Sequence, residues 1–290
     1  MYPLVELKRI SLIKNIAKSN GSSFYKWLYK QIINGKCTKD PVIPYFTNAD
    51  QGLRLQCNNA INKLNRFICD TQYTIIKKFH NDNVSLILIT RTLKKRVTIN
   101  KMVYTKLITT CTHKNPYMAI WCLVARYKAL GMYHTQFKLP QIVSHKFPQT
   151  HTELLATPIN NTLRNYYGIF YDIEQYFGSK GSFAKFIPTN STYIFNIPFN
   201  KSLIENIHVR IHDLTNINNK AAFILILPVW TANESLNHCE FELLKELEQR
   251  NLIEHHELYN DSDITYLNIS DMTRKRVKST HIIITKICIT

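Results

Sequence analysis

The chain has 290 residues, of which 45% are hydrophobic and 20% are charged. This balance is typical of a globular protein, and the length suffices for one large domain or two modest ones. No apolar run approaches the roughly 20 residues that span a bilayer, and the N-terminus has no apolar stretch suited to a signal peptide. The seven cysteines are scattered without a C-x-x-C pair, which argues against a metal site and favours an intracellular compartment, either nucleus or cytoplasm.

The positive charge is confined to one half of the chain. Residues 1–145 carry 23 Lys and Arg against 5 Asp and Glu, a net charge of +18, whereas residues 146–290 carry 14 against 15, a net charge of −1. Such a block repels itself unless a polyanion neutralises it, and nucleic acid is the usual partner. A solvated basic surface is the alternative interpretation. A membrane surface is not expected, because no segment forms a strongly amphipathic basic helix.

The first half is predicted to be mostly helical, because its apolar residues recur at helical spacing. Glycines provide the helix stops at Gly35 and Gly131. One short strand is predicted at residues 84–89. The predicted helices cover residues 8–33, 49–69, 100–110 and 117–130.

From about residue 151 the pattern changes to alternating strands and helices. Strands are predicted at residues 153–156, 192–195, 221–228 and 281–289, and helices at residues 161–170, 202–214 and 240–250. This alternation predicts an α/β fold with a mostly parallel sheet and helices on both faces. We therefore expect a basic, mostly helical nucleic-acid-binding domain at residues 1–145 and an α/β domain at residues 146–290.

Ligands of such sheets bind beyond the carboxyl ends of the strands. The turns at Thr157, Asn196 and Pro228 would all lie on that edge. Asn196-Ile197-Pro198-Phe199 suits methylation of an exocyclic amine there. The Asn196 side-chain oxygen and the Ile197 carbonyl would accept hydrogen bonds from the NH2 group, and Phe199 would stack on the base for about 1–3 kcal/mol. An ordinary strand end followed by a turn is the alternative interpretation.

Two further features favour a ligand at this edge. Gly178 and Gly181 lie close together in a chain with only seven glycines, which indicates backbone near a ligand or a tight turn. Lys180 would meet a carboxylate, a phosphate or solvent. Trp230 would stack on a base or on a cationic cap guanine, or it belongs to the core. The usual G-x-G loop is missing after the first strand, where Thr157-Pro158-Ile159-Asn160 stands instead.

Five blocks in order resemble the cap-specific adenosine N6-methyltransferases known as the phosphorylated-CTD-interacting-factor family. The similarity covers about residues 115–290. Residues 120–131 resemble L-W-x-L-x-x-R-Y-x-x-L-G, residues 155–160 resemble F-A-S-P-L-N, and residues 176–181 resemble Y-F-G-S-R-G. Residues 196–199 are similar to N-P-P-F, and residues 227–230 to I-P-E-W.

The resemblance implies a Rossmann-like class I methyltransferase core that uses S-adenosylmethionine without a metal. The implied substrate is the adenosine next to the mRNA cap, which becomes N6-methyladenosine (m6Am). The catalytic residues implied are Asn196, Ile197, Pro198 and Phe199. The implied cofactor-binding residues are Thr157, Pro158, Asn160, Phe177, Gly178, Ser179, Lys180 and Gly181. Substrate binding is assigned to Trp230, Phe199 and Arg126.

Three departures from the family pattern keep alternatives open. Ile197 replaces the first Pro, Val229 a Glu, and Lys180 an Arg that forks better to a carboxylate. Animal members carry a WW module, which this chain, with three tryptophans, is expected to lack. The composition suggests an AT-rich and, by hypothesis, viral genome. A catalytically inactive RNA-binding or assembly module is one alternative, and methylation of a protein glutamine amide is another.

Overall fold

The structure is a computed structural model, and part of the chain is described in it. For several strand and helix residues only the backbone is described. These are residues 135, 144, 196, 227–230, 256, 258, 275 and 280–289. The described residues are 3–21, 23–47, 52–67, 72–148, 152–196, 207, 210–216, 220–230, 245–259, 266–269, 272–275 and 280–289.

The chain forms two compact units, and the first of them contains residues from two stretches of sequence. The N-terminal unit comprises Met1–His134 and Phe170–Gly178, and the sheet unit comprises Thr135–Ile169 and Ser179–Thr290. The sequence places the boundary at residues 145/146 instead. Residues 139 and 143 pack in the core of the sheet unit, which explains why the division falls before them.

The N-terminal unit contains helices and one three-stranded sheet. No described helix has the length and apolarity that a membrane crossing demands. The helices are α1 (Pro3–Asn20), α2 (Ser23–Ile33), α3 (Gly52–Asn65), α4 (Lys101–Thr110) and α5 (Pro116–Ala129). The strands are β1 (Thr74–His80), β2 (Asn83–Ile89) and β3 (Lys94–Asn100), paired antiparallel in that order.

Helix α5 is the centre of the N-terminal unit. Its residues 118–127 are all buried, as expected of a helix that is covered on every side. It begins where the Asn115 side chain accepts a hydrogen bond from the Met118 N–H, with Pro116 in the first turn. It ends before Gly131, whose φ of 71° suits glycine. The predicted helix at residues 117–130 is therefore confirmed.

Strands and short helices alternate in the sheet unit and around it. The strands are β4 (Thr152–Leu154), β5 (Asn165–Tyr167), β6 (Thr192–Asn196), β7 (Ala221–Trp230), β8 (Ile253–Tyr259), β9 (Tyr266–Asn268), β10 (Thr273–Lys275) and β11 (Thr280–Ile289). Helix α6 is Gln141–Lys146, and α7 (Tyr171–Glu174) belongs to the N-terminal unit. Residues 210–215 and 245–249 are helical as well.

The main sheet has the strand order β5-β4-β6-β7-β11-β8. Strands β5, β4, β6 and β7 run parallel, whereas β11 lies antiparallel between β7 and β8. The prediction of a mixed α/β fold with a largely parallel sheet is therefore confirmed. The predicted helix at residues 161–170 is wrong, because this segment forms β5 and pairs with β4. Pro228 lies within β7 rather than in a turn, past the last residue that β7 pairs with β6.

The two faces of the sheet bury different side chains. Ile194, Ile224 and Ile226 pack on one face against Leu139 and Val143. The other face is aromatic. There Phe223 lies 5.5 Å from Tyr193 and 5.7 Å from Phe195, measured between ring centroids. Since side chains of a strand alternate between faces, β6 contributes to both layers and is fixed in register.

Candidate functional site at the carboxyl edge of the sheet

The carboxyl ends of neighbouring parallel strands meet at one edge of the sheet. Leu154, the last residue of β4, is paired with Phe195, so the chain leaves β4 level with Asn196 at the end of β6. Asn196 in turn is paired with Ile226 of β7. The structure thus brings the turn after β4 and residue 196 together, as the sequence predicts.

This edge includes a topological switch point. Strand β4 lies between β5 and β6. The chain runs from β4 to its neighbour β5 in one direction along the sheet, and from β6 to its neighbour β7 in the other direction. In open α/β sheets the crevice for a ligand lies beyond the carboxyl ends of the two strands at such a point. In this sheet that point lies between the turn after β4 and the end of β6, which is where a ligand is expected.

The turn at Thr157 is closed by its own side chains. The Thr157 N–H donates to Asn160 Oδ1 at 2.8 Å, and the Thr157 hydroxyl accepts from the N–H groups of Ile159 and Asn160 at 3.2 and 3.3 Å. The Thr157 hydroxyl oxygen lies 2.5 Å from Gln136 Oε1 and 2.9 Å from Asn160 Oδ1, and either oxygen can accept its proton. Thr157, Pro158 and Asn160 are buried. The hydrogen bonds within this segment fix the conformation of the turn.

The residues on either side of this turn add to its rigidity. Leu155 has a φ of 61°, a left-handed conformation that costs free energy in a branched residue and persists only where its surroundings hold it. Glu153 of β4 is buried, and its Oε2 accepts from the Thr162 N–H at 2.8 Å and the Leu163 N–H at 3.3 Å. Strain of this kind is common at functional sites.

The glycine-containing segment divides between the two units. In the N-terminal unit, Phe177 is buried and Gly178 has a φ of 94°, which accounts for glycine there. In the sheet unit, Ser179 is buried and donates to the Gly181 carbonyl at 3.1 Å. Lys180 is exposed, and its N–H donates to the Tyr166 carbonyl of β5 at 2.8 Å.

Gly181 is required by a close contact inside the protein. A Cβ at this position would lie 2.9 Å from Cε1 of Tyr167. The Tyr167 ring in turn packs against Phe186, with 4.7 Å between the centroids. The ring of Tyr167 rather than a ligand therefore explains why position 181 has no side chain.

Part of the predicted site lies outside the described residues. This holds for Ile197, Pro198 and Phe199 and for the side chains of Asn196 and Trp230. Trp230 is the last residue of β7, the strand next to β6. The role of Trp230 in substrate binding stays a prediction, as do the roles of residues 196–199.

Arg126 is buried inside the N-terminal unit. It is 1% exposed, and four of its N–H groups donate to carboxylates. Glu6 accepts at 2.9 and 2.7 Å and Asp172 at 2.6 and 2.9 Å. These two carboxylates raise the pKa of Arg126 against the opposing effect of burial. The side chain holds α1, α5 and α7 together, which gives it a structural role, and its predicted role in substrate binding stays a prediction.

No metal site is formed by the described side chains. Among them, no group of three or more His, Cys, Asp or Glu lies close enough to hold an ion. His255 instead lies against Glu257, with 2.9 Å between Nε2 and Oε1.

Two residues of the site were missed by the sequence analysis. Gln136 supports the Thr157 turn from a distant part of the chain, and no local pattern points to it. Glu153 could have been identified from the sequence, because a carboxylate in a predicted strand needs hydrogen-bond donors when that strand is buried. It finds them in the backbone that returns from the turn.

The fold defines an α/β protein with a topological switch point between β4 and β6. The family model described as phosphorylated CTD interacting factor 1 WW domain matches residues 101–266, and the chain belongs to that family. Two curated relatives are each named mRNA (2'-O-methyladenosine-N(6)-)-methyltransferase, one from Mus musculus and one from Homo sapiens. Each is 28% identical over 121 residues, which is 38% of this chain and 17% of the relative. The matched stretch thus spans less than a fifth of either relative.

Proposed function

We propose that this chain is an S-adenosylmethionine-dependent RNA adenine N6-methyltransferase that acts on the cap-adjacent adenosine of mRNA. The observation that carries the proposal is the meeting of the Thr157 turn and Asn196 at the switch point of the sheet. Family membership and the names of the two relatives support the chemistry. We further propose that the sheet is a Rossmann-like methyltransferase core and that the protein acts inside the cell.

The residues at the edge would bind a methyl donor through van der Waals contacts with the turn rather than through hydrogen bonds from its N–H groups. The turn that replaces the G-x-G loop has its N–H groups at positions 157, 159 and 160 bonded internally. Such a turn would border the donor with its backbone surface rather than with free N–H groups. S-adenosylmethionine supplies an electrophilic methyl group on a sulfonium when it is bound.

The proposed role of the chain's own residues is to hold the amine. The adenine NH2 is a weak nucleophile because its lone pair is delocalised into the ring. The Asn196 side-chain oxygen and the Ile197 carbonyl would accept from the two N–H bonds, which favours a pyramidal nitrogen. Pro198 would stiffen the turn, and Phe199 would stack on the base. Positioning and preorganised acceptors would then lower the barrier without a dedicated base.

The roles proposed for the remaining predicted residues are those that the family resemblance implies. Thr157, Pro158 and Asn160 would border the donor, together with the segment from Phe177 to Gly181. Trp230 would lie against the base or the cap. Residues 1–145 would bind the RNA.

Replacing Asn196 by Ala tests the proposal, and Asn190 provides the matched control. Asn190 is exposed and precedes the amino end of β6, at the opposite edge of the sheet from residue 196. We expect Asn196→Ala to lower methyl transfer by at least about a hundredfold, as the loss of a preorganised acceptor does. Asn190→Ala should retain activity. Thermal unfolding should be the same for both variants, and full activity of Asn196→Ala would refute the assignment.

A catalytically inactive RNA-binding module is the second candidate, and Val229 in place of the family's Glu favours it. Calorimetry with S-adenosylmethionine separates the two. Micromolar donor binding supports the enzyme, whereas no binding together with salt-sensitive RNA binding supports the module.

A further inference from the structure

A groove runs between α1, β3 and α5 on the N-terminal unit. It has a volume of about 590 Å³, within the range of ligand sites. All of its lining residues belong to the N-terminal unit, and none of them is among the residues assigned above to the carboxyl edge of the sheet.

The charge of this groove has one sign. Four of its lining side chains are basic: Lys14 from α1, Lys95 and Arg96 from β3, and Lys128 from α5. None of its thirteen lining residues is acidic. Lys14, Lys95 and Arg96 are exposed and available to a ligand.

Three of the carboxylates of this unit are engaged by arginines that do not line the groove. The N-terminal unit has 22 Lys and Arg against 7 Asp and Glu, a net charge of +15. Three of these acids, Glu6, Asp40 and Asp172, bind Arg9 and Arg126 in one network, in which Glu6, Asp40 and Arg126 are buried. The groove therefore lies on a surface whose positive charge is not neutralised by those three acids.

The floor of the groove is suited to the uncharged parts of a nucleotide. Ile10, Leu93 and Val97 provide apolar surface. Trp121 also lines the groove, and its buried indole N–H has no hydrogen-bond partner among the described residues. A buried donor without a partner is costly, so an acceptor that enters here would be stabilised.

We propose that the α1–β3–α5 groove binds the phosphodiester backbone of a short single-stranded stretch of the RNA substrate, with bases or riboses against its apolar floor. The inference rests on the proposed function for the identity of the RNA. It deepens that function by assigning the RNA contact to one groove and to named residues of the N-terminal unit. RNA is favoured over an acidic peptide because the groove offers both spaced cations and apolar surface.

The test uses the full chain without methyl donor and a fluorescein-labelled, uncapped 12-nucleotide RNA in anisotropy titrations over a range of salt. The groove variant carries Lys14→Gln, Lys95→Gln and Arg96→Gln. The control variant carries Lys30→Gln, Lys63→Gln and Arg66→Gln, three exposed positions of the same unit that do not line the groove. Both remove three positive charges, so a general effect of net charge cancels.

We expect the groove variant to bind roughly a hundredfold more weakly at about 0.1 M salt, with the slope of log K against log salt reduced by about 2. The control variant should stay within about threefold of the unchanged protein. Equal weakening by both variants would overturn the inference, and so would poly-glutamate that competes as well as RNA of equal charge.

A crosslinking experiment provides the independent readout. RNA that contains 4-thiouridine should crosslink to peptides from α1, β3 or α5, and crosslinks confined to other segments would contradict the groove. Because no methyl donor is present, an inactive protein that binds RNA here refutes the proposed function alone. An active protein whose groove variant binds normally refutes the groove alone.

Discussion

Arg126 connects three parts of the N-terminal unit through the carboxylates of Glu6 and Asp172. Arg9 joins the same network through Glu6 and Asp40. Removing one member of a buried ion pair leaves the other charge uncompensated, which costs more than the pair contributes when intact. Burial is the largest single effect on the pKa of Glu6 and raises it. Arg126 and Arg9 together outweigh burial, so the pKa of Glu6 is lowered.

We expect Arg126→Ala to lower the free energy of unfolding by about 3–5 kcal/mol. Arg126→Lys should also be destabilising, since an ammonium group does not match two carboxylates in a fork. Denaturant titration measures both effects, with Arg66→Ala at an exposed position as the control expected to change stability by less than about 0.5 kcal/mol. A stable Arg126→Ala protein would contradict the structural role.

Glu174 makes the stability of the N-terminal unit depend on pH. Burial raises its pKa to about 7, against the lowering effect of the hydrogen bond that the Tyr127 hydroxyl donates. The folded protein therefore holds this proton more tightly than the unfolded chain does. The resulting stability is present below pH 4.5 and is lost as the pH rises through about 7.

Glu174→Gln should remove this dependence. The stability of the unchanged protein relative to the variant should fall by on the order of 3 kcal/mol between pH 4.5 and pH 8. Asp82→Asn, at an exposed position, controls for the general effect of removing an acid. A constant difference across that range would show that Glu174 titrates normally.

At the scale of elements, the turn after β4 is the feature on which the site depends. Its Thr157 hydroxyl serves Gln136, Asn160 and two backbone N–H groups. Thr157→Val keeps the shape and removes the hydroxyl, so it leaves buried groups unsatisfied at a cost of about 1–3 kcal/mol. Thr157→Ser keeps the hydroxyl and should be close to neutral.

The same pair of variants tests whether the turn positions the methyl donor. We expect Thr157→Val to raise the dissociation constant of S-adenosylmethionine by about tenfold in calorimetry, and Thr157→Ser to leave it nearly unchanged. Unaltered donor binding by a destabilised Thr157→Val protein would show that the turn lies away from the donor.

Elements whose own residues determine their structure are predicted correctly from the sequence. The buried helix α5 and the strands β6 and β7 are confirmed, because each is marked by its own apolar residues and stops. The predicted helix at residues 8–33 is in fact two helices, since Gly21 has a φ of 74° and separates α1 from α2. Such a break depends on one backbone angle.

The strands that sequence analysis missed are stabilised by their neighbours. Strands β1 and β3 flank β2, and their exposed lysines hide the alternation that would mark them. Strand β5 owes its existence to pairing with β4 and to the segment that runs beside it, where the Gly168 N–H donates to the Gly181 carbonyl. Partners this distant in sequence leave no local signature.

At the scale of the whole molecule, the charge split matches the division into units closely but not completely. The basic excess in residues 1–145 lies almost entirely in the N-terminal unit, which also takes in residues 170–178 from the second half. The sheet edge could be predicted, because parallel strands share their carboxyl ends. The engagement of Arg126 and the support from Gln136 could not, because both depend on tertiary contacts.

The central claim is that the sheet edge transfers a methyl group to an RNA adenosine. The most direct measurement is incubation with S-adenosylmethionine carrying a deuterated methyl group and with capped RNA that begins with adenosine, followed by mass spectrometry of the nucleosides. The prediction is a deuterated methyl on N6 of the first adenosine, and much less of it on uncapped RNA or with Asn196→Ala. No label on RNA from a folded protein that binds this RNA, or label that Asn196→Ala does not reduce, would contradict the claim.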